Sequence, residues 1–250
     1  MRLLILALLL APPAAGAETF WDTTFTYFAR ENVEDNDNDI IRGTAGVTLE
    51  DGQGGWRGEV ALGIRNEFFE GDYALDYGAA GLRFYSRDDG AWWAGGRVRG
   101  VEDGDVSGEL LVGLERYWGP LTARGLAGVQ ALSDEDGFDD GRQVSGLALA
   151  EVSYYPFDIV SFRSSLTLDD ADLLGAVGGE LKLGRLPVSL FADWTVAVDG
   201  YRNDEFYNDF FFGFRITPNF ASLRDRDRST LIRALDRPVD PLQIQGRSDE

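Results

Sequence analysis

The chain has 250 residues, with 43 acidic against 23 basic side chains, a net charge of −20, and neither cysteine nor histidine. That balance excludes nucleic acid, or an anionic surface, held through a basic patch, and the missing cysteine excludes a disulfide framework. Without histidine the usual Ser–His and Cys–His nucleophilic pairs cannot be built either.

Residues 1–17 read as an export signal: Arg2, an apolar run over 3–10, then Ala15, Gly16 and Ala17, whose small side chains suit cleavage before Glu18. The run is too short to span a bilayer as a helix, and no later stretch approaches the roughly 20 apolar residues such a helix needs. Any membrane passage therefore falls to strands closed into a barrel.

From Glu18 onward, alternation of apolar and polar residues predicts strands over 19–29, 40–49, 56–65, 73–85, 91–101, 106–117, 121–132, 143–155, 159–168, 173–183, 188–198 and 206–216. Their lengths suit tilted strands crossing a bilayer. An even count such as these twelve returns both ends of an up-and-down barrel to one side, as ten or fourteen also would. The second segment sets Ile41, Gly43, Ala45, Val47 and Leu49 against Arg42, Thr44, Gly46, Thr48 and Glu50, because neighbouring strand side chains point to opposite faces. The sixth opposes Val106, Gly108, Leu110, Val112 and Leu114 to Ser107, Glu109, Gly113 and Glu115, and the eleventh opposes Val188, Leu190, Ala192, Trp194, Val196 and Val198 to Ser189, Asp193 and Thr195. The fourth changes phase near Gly78, Ala79 and Ala80, which predicts a bulge there. The eighth, 143–155, has no clear phase.

Taken alternately, the connections fall into two classes. Those at 51–55, 87–90, 118–120, 156–158 and 184–187 are tight and rich in turn residues, whereas 30–39, 66–72, 133–141 and 199–205 are longer and acidic, with shorter members at 102–105 and 169–172. Aromatic residues gather at the segment ends. Trp56, Phe84, Tyr85, Trp92, Trp93, Tyr117, Trp118, Tyr154, Tyr155, Phe157 and Phe220 mark the tight-turn rim, and Tyr27, Phe28, Phe68, Phe69, Tyr73, Tyr201, Phe206 and Tyr207 mark the other. Amphipathic rings favour the headgroup level of a membrane. A water-soluble barrel would need the apolar parity inside, leaving arginine and glycine outside between girdles of tryptophan, so it is disfavoured.

Over residues 18–220 these features resemble the outer-membrane β-barrel proteins of Gram-negative bacteria, with residues 210–220, Phe-Phe-Phe-Gly-Phe-Arg-Ile-Thr-Pro-Asn-Phe, similar to the terminal segment read by the barrel-assembly machinery. Two departures stand out: Pro218 interrupts the segment, and residues 221–250 follow where most such chains stop. The resemblance implies an all-β, single antiparallel up-and-down transmembrane barrel in the outer membrane, with short turns and both mature termini on the periplasmic side. It also implies lipid and lipopolysaccharide as surroundings and the assembly machinery as a partner during biogenesis; the oligomeric state stays open. Residues 221–250 are read as a periplasmic extension, disordered or carrying a short helix over 223–237 before Pro238 and Pro241, with a plug or a docking segment as the alternative to a disordered tail.

With the apolar parity toward lipid, the lumen receives Arg42, Arg57, Glu59, Arg65, Arg97, Arg99, Glu109, Glu115, Arg124, Arg163, Glu180, Lys182, Asp193 and Arg215. Arginine outnumbers acid in this set, so the expected function is a narrow porin-like channel whose wall favours small, anionic solutes. The chain is similar in size to small outer-membrane barrels with arginine-lined lumens that pass acidic sugars, without a shared residue motif. The alternative is a structural or adhesion barrel, closed by its own ion pairs and acting through its acidic loops. Asp35, Asp37 and Asp39 are spaced like a calcium loop, but Ile40 stands where the glycine belongs and no glutamate closes the loop. Neither a metal nor a cofactor is expected, nor an enzyme.

Overall fold

The computed structural model describes residues 18–31, 39–50, 54–67, 72–87, 90–101, 106–132, 144–169, 172–198, 206–218 and 220–230. Residues 1–17, read above as an export signal, the long acidic loops and the tail after residue 230 lie outside them.

Twelve strands close into one antiparallel barrel: β1 (Glu18–Glu31), β2 (Asp39–Glu50), β3 (Gly54–Glu67), β4 (Asp72–Arg87), β5 (Gly90–Val101), β6 (Val106–Trp118), β7 (Leu121–Leu132), β8 (Val144–Phe157), β9 (Val160–Asp169), β10 (Asp172–Lys182), β11 (Val188–Val198) and β12 (Phe206–Ile216). Among the described residues one helix, α1 (Leu223–Thr230), follows them. Each strand pairs with its neighbours in sequence, and the ring closes where β12 meets β1 in register from Thr23 opposite Ile216 to Glu31 opposite Asn208. Along that seam Phe25 stacks on Phe214 with ring centroids 4.9 Å apart, and Tyr27 meets Phe212 at 4.8 Å. Aromatic pairs of this kind add about 0.5–1.5 kcal/mol each beyond the area they bury. Closure satisfies every strand edge, as a spanning sheet in lipid requires.

Strand parity separates the two faces. On β6 the alternation of buried and exposed side chains runs without a break, placing Ser107, Glu109, Leu111, Gly113 and Glu115 inside and leaving Leu110 69% exposed. The outer face is an apolar belt in which Phe84, Trp92, Val112, Leu114, Phe162, Leu166, Leu190 and Phe212 stand open, an arrangement that water would penalise and lipid rewards. Outward charges such as Arg116, Asp158 and Arg185 fall at the tight-turn end.

Three expectations change. The fourth strand does carry an irregularity, but its register with β3 shifts where Gly63 faces Tyr77 and Ile64 faces Leu75, before the Gly78 position. β8 buries Leu147 and Leu149 together with Ser145, Glu151, Ser153 and Tyr155; its phase was hidden in the sequence because the two leucines stand among the polar residues of the inner face, opposite small Gly146, Ala148 and Ala150. The doubled aromatics do not all join a girdle either: Phe84, Trp92 and Tyr154 face out, whereas Tyr85, Trp93 and Tyr155 are 5%, 1% and 5% exposed. Adjacent strand residues cannot share a face. Inside, Tyr85, Ala91, Trp93, Leu111, Leu126, Leu147 and Leu149 pack into one apolar cluster lining β4 to β8.

A charged lumen and a helix across its mouth

Around that cluster the interior is ionic. Arg57, Arg97, Glu109, Glu115, Arg124, Glu180, Lys182, Asp193 and Arg215 are buried, and Arg42, Glu59 and Arg163 are half-buried. The side chains of Arg65 and Arg99 are outside the described set. Among the described residues, sequence reading missed four further buried charged groups. Asp22 of β1 is buried, as is Glu151 of β8, and both Arg226 and Asp227 of α1 are buried too. Asp22 was legible from its alternation with Trp21 and Thr23, and Glu151 needed only the phase of β8. Nothing in the sequence marked Arg226 and Asp227. With these acids counted, the arginine excess read from the sequence is largely cancelled.

Five of the arginines, one each on β3, β5, β7, β9 and β12, are held by carboxylates of the wall. Arg57 grips Asp22 with two guanidinium nitrogens at 2.5 and 3.0 Å, donates to the Thr48 hydroxyl at 3.1 Å and lies 3.4 Å from Glu59. Arg97 meets Glu109, its direct partner across β5 and β6, at 2.9 Å. Arg124 sits between Glu115 of β6 at 2.8 Å and Glu151 of β8 at 3.5 Å, both directly opposite it in register. Arg163 pairs with Asp193, and Arg215 meets Glu180 at 3.1 Å while donating to the Thr24 hydroxyl at 3.0 Å. Burying an ion costs several kcal/mol unless it is paired and hydrogen-bonded, so the pairs set one another's positions.

Two glycines make the longer reaches possible. Gly178 of β10 lies between Arg163 of β9 and Asp193 of β11, so the pair bridges a whole strand; a Cβ there would collide with the Asp193 carboxylate. Gly46 of β2 separates Asp22 from Glu59 in the same way, and a Cβ would enter the Arg57 guanidinium. A strand residue without a side chain leaves room for charges on either side to meet above it.

At the tight-turn end, α1 lies across the mouth. The side chain of Ser222 caps it, accepting from the Asp225 amide at 3.0 Å. Leu223, 1% exposed, points inward, and its amide donates to the Asp158 carbonyl of the β8–β9 turn at 2.8 Å. Arg226 reaches Glu180 with two nitrogens at 2.5 and 2.9 Å and donates to Ser189 at 3.2 Å. Asp227 accepts from the Tyr155 hydroxyl at 3.0 Å. Arg228 lies 4.7 Å from the Tyr117 ring centroid, donates to Thr122 at 3.0 Å, and caps the carbonyls of Gly119 and Leu121 at 2.9 and 2.8 Å. Phe220 does not extend the last strand, which stops at Ile216; its ring packs on Phe20 with centroids 5.0 Å apart. Burial pulls the Arg226 guanidinium down, but Asp227 and Glu180 beside it more than reverse this and hold its pKa above the ordinary arginine value. Burial pushes the Asp227 carboxyl up and Glu180 adds to this, while Arg226 only partly opposes it.

A closed antiparallel barrel with an apolar outer belt and a charged interior is the architecture of a transmembrane barrel of the outer-membrane class. No family model and no curated protein matches the chain. Solved structures do. The KdgM porin, in complex with disordered oligogalacturonate, aligns over 80% of this chain and 99% of its own at 7% identity and a TM-score of 0.56. The NanC porin aligns over 78% of this chain and 98% of its own, at 10% identity and a TM-score of 0.59. An outer membrane channel from Pseudomonas putida F1 covers 83% of this chain and 97% of its own, at 10% identity and a TM-score of 0.54. At such identity the likeness is one of fold: this chain has the outer-membrane porin barrel fold.

Proposed function

We propose that the protein is an outer-membrane channel for small solutes that carry carboxylates, exported through its signal and seated with both mature termini in the periplasm. One observation carries this: arginines on β3, β5, β7, β9 and β12 ring the interior, each held by a wall carboxylate. A guanidinium recognises the planar carboxylate of a solute with the same two-pronged geometry it uses for aspartate or glutamate. An incoming acid can therefore exchange with the wall acids stepwise, without a guanidinium losing its partner in a low-dielectric interior. The KdgM porin, solved in complex with disordered oligogalacturonate, supports acidic oligosaccharides as the first solutes to try. Lipid and lipopolysaccharide surround the belt, and the barrel-assembly machinery inserts it. Catalysis is not part of this reading, since histidine is absent from the chain.

The test is single-channel recording in a planar bilayer across a salt gradient. The full chain and the full-length variants described below should pass current with an anion-selective reversal potential, and Arg97→Ser together with Arg124→Ser should move that potential toward cations. Folded barrels that stay silent in every one of these forms would overturn the channel reading.

A further inference from the structure

We propose that α1 is a built-in stopper, a reversible gate that closes the tight-turn mouth of the barrel and is held there by Arg226 and Arg228. The proposal rests on the channel reading, and adds what controls the passage. Its first support is size. Twelve strands spaced about 4.8 Å apart and tilted about 40° give a circumference of about 75 Å, hence about 24 Å between facing backbones. Side chains on both walls leave an opening of about 12 Å, and an α-helix with its side chains is about 10–12 Å wide. Eight residues of helix are therefore enough to cover the mouth.

The second support is the spread of the fastenings. Arg228 holds the turn between β6 and β7 as well as Thr122, Asp227 takes Tyr155 of β8, the Leu223 amide takes the turn between β8 and β9, and Arg226 takes Glu180 of β10 and Ser189 of β11. One short helix thus spans from β6 to β11, half of the ring, without joining the sheet. Nothing in barrel closure requires it, because all twelve strands pair among themselves.

The third support is the chemistry of the main pin. Glu180 is shared by Arg226 of the helix and Arg215 of the wall. If Arg226 leaves, Arg215 still neutralises Glu180, so undocking does not strand a buried charge in the wall. Charged hydrogen bonds fasten the helix, while among the described residues of 220–230 Leu223 is the one large apolar side chain fully buried with it. Such a contact is strong when dry and readily exchanged when a carboxylate or water competes.

The experiment compares the full-length chain with the full-length double variant Arg226→Ala plus Arg228→Ala, and with Leu223→Asp as a second way to dislodge the helix. Folding of each barrel is checked by its heat-modifiable migration on gels and its β-sheet circular dichroism. With the stopper in place the full chain conducts rarely; both variants should raise the open fraction at least tenfold. Trypsin should cut Leu223→Asp quickly after Arg224 and Arg226, while the folded wild type resists. Equal conductance and equal cleavage in all forms would overturn the stopper and leave the channel standing. Silence in all forms, with cleavage confined to the variants, would overturn the channel and with it the gating role of α1.

Discussion

Replacing Arg124 with alanine tests most directly whether the lumen is pinned by its own charges. Arg124 is flanked by Glu115 at 2.8 Å and Glu151 at 3.5 Å, and all three side chains are less than a tenth exposed. The substitution leaves two facing carboxylates with no cation between them, and breaking a buried pair in this way costs about 3–5 kcal/mol. With a urea slope of about 2 kcal/mol per molar, a loss of about 4 kcal/mol lowers the unfolding midpoint by about 2 M. The assay is equilibrium urea unfolding of the barrel in lipid vesicles, followed by tryptophan fluorescence. Arg116→Ala is the control: it lies on β6 beside Glu115 but faces outward and exposed, and it should change stability by less than about 0.5 kcal/mol, a midpoint shift of less than about 0.25 M. Replacing the whole trio by leucine should recover most of the loss, since apolar side chains of similar volume can substitute for a buried ionic cluster. A midpoint for Arg124→Ala that matches the Arg116→Ala control would refute the claim that the trio is buried and mutually dependent.

Three other outcomes follow from the same geometry. Brominated lipid should quench Trp92, which is 56% exposed, and spare Trp93, which is 1% exposed, so Trp92→Phe should reduce the quenching and Trp93→Phe should not. Gly178→Val should cost about 1–3 kcal/mol by overpacking and part Arg163 from Asp193, whereas the same change at the outward Gly146, where nothing lies near a new Cβ, should cost less than about 1 kcal/mol in urea unfolding. Leu110→Arg, at a site 69% exposed on the outer belt, should lower barrel stability in vesicles by about 2–4 kcal/mol, an effect that would be missing if this face met water.

Ring closure in the tertiary structure fixed the number of strands at twelve, while the amino-acid sequence by itself determined the strands, the outward face of most of them, and the barrel class. Each of these is written in a local period of two, as in Ile41 to Glu50, and in the position of turn residues, so neighbours along the chain suffice to read it. β8 resisted because Leu147 and Leu149 interrupt the polar residues of its inner face while small Gly146, Ala148 and Ala150 stand on the outer one, and its phase emerged only when β7 and β9 fixed its register. The doubled aromatics misled for a related reason: a ring looks the same in sequence whether it meets lipid, as Trp92 does, or fills the interior, as Trp93 does. Parity also placed the charged side chains inside, but it is silent about pairing. Asp22 and Arg57 are 35 positions apart, and Glu180 and Arg226 are 46 apart. Which of several acids each arginine takes is decided by barrel curvature, by the register of three strands at once and by the absence of a side chain at Gly46 and Gly178. The placement of α1 belongs to the tertiary structure entirely. Its sequence, Leu-Arg-Asp-Arg-Asp-Arg-Ser-Thr, reads as a solvated helix with three arginines against two aspartates; Leu223, Arg226 and Asp227 are buried because the mouth of the barrel offers Glu180, Tyr155 and the turn carbonyls at the spacing they and Arg228 can reach.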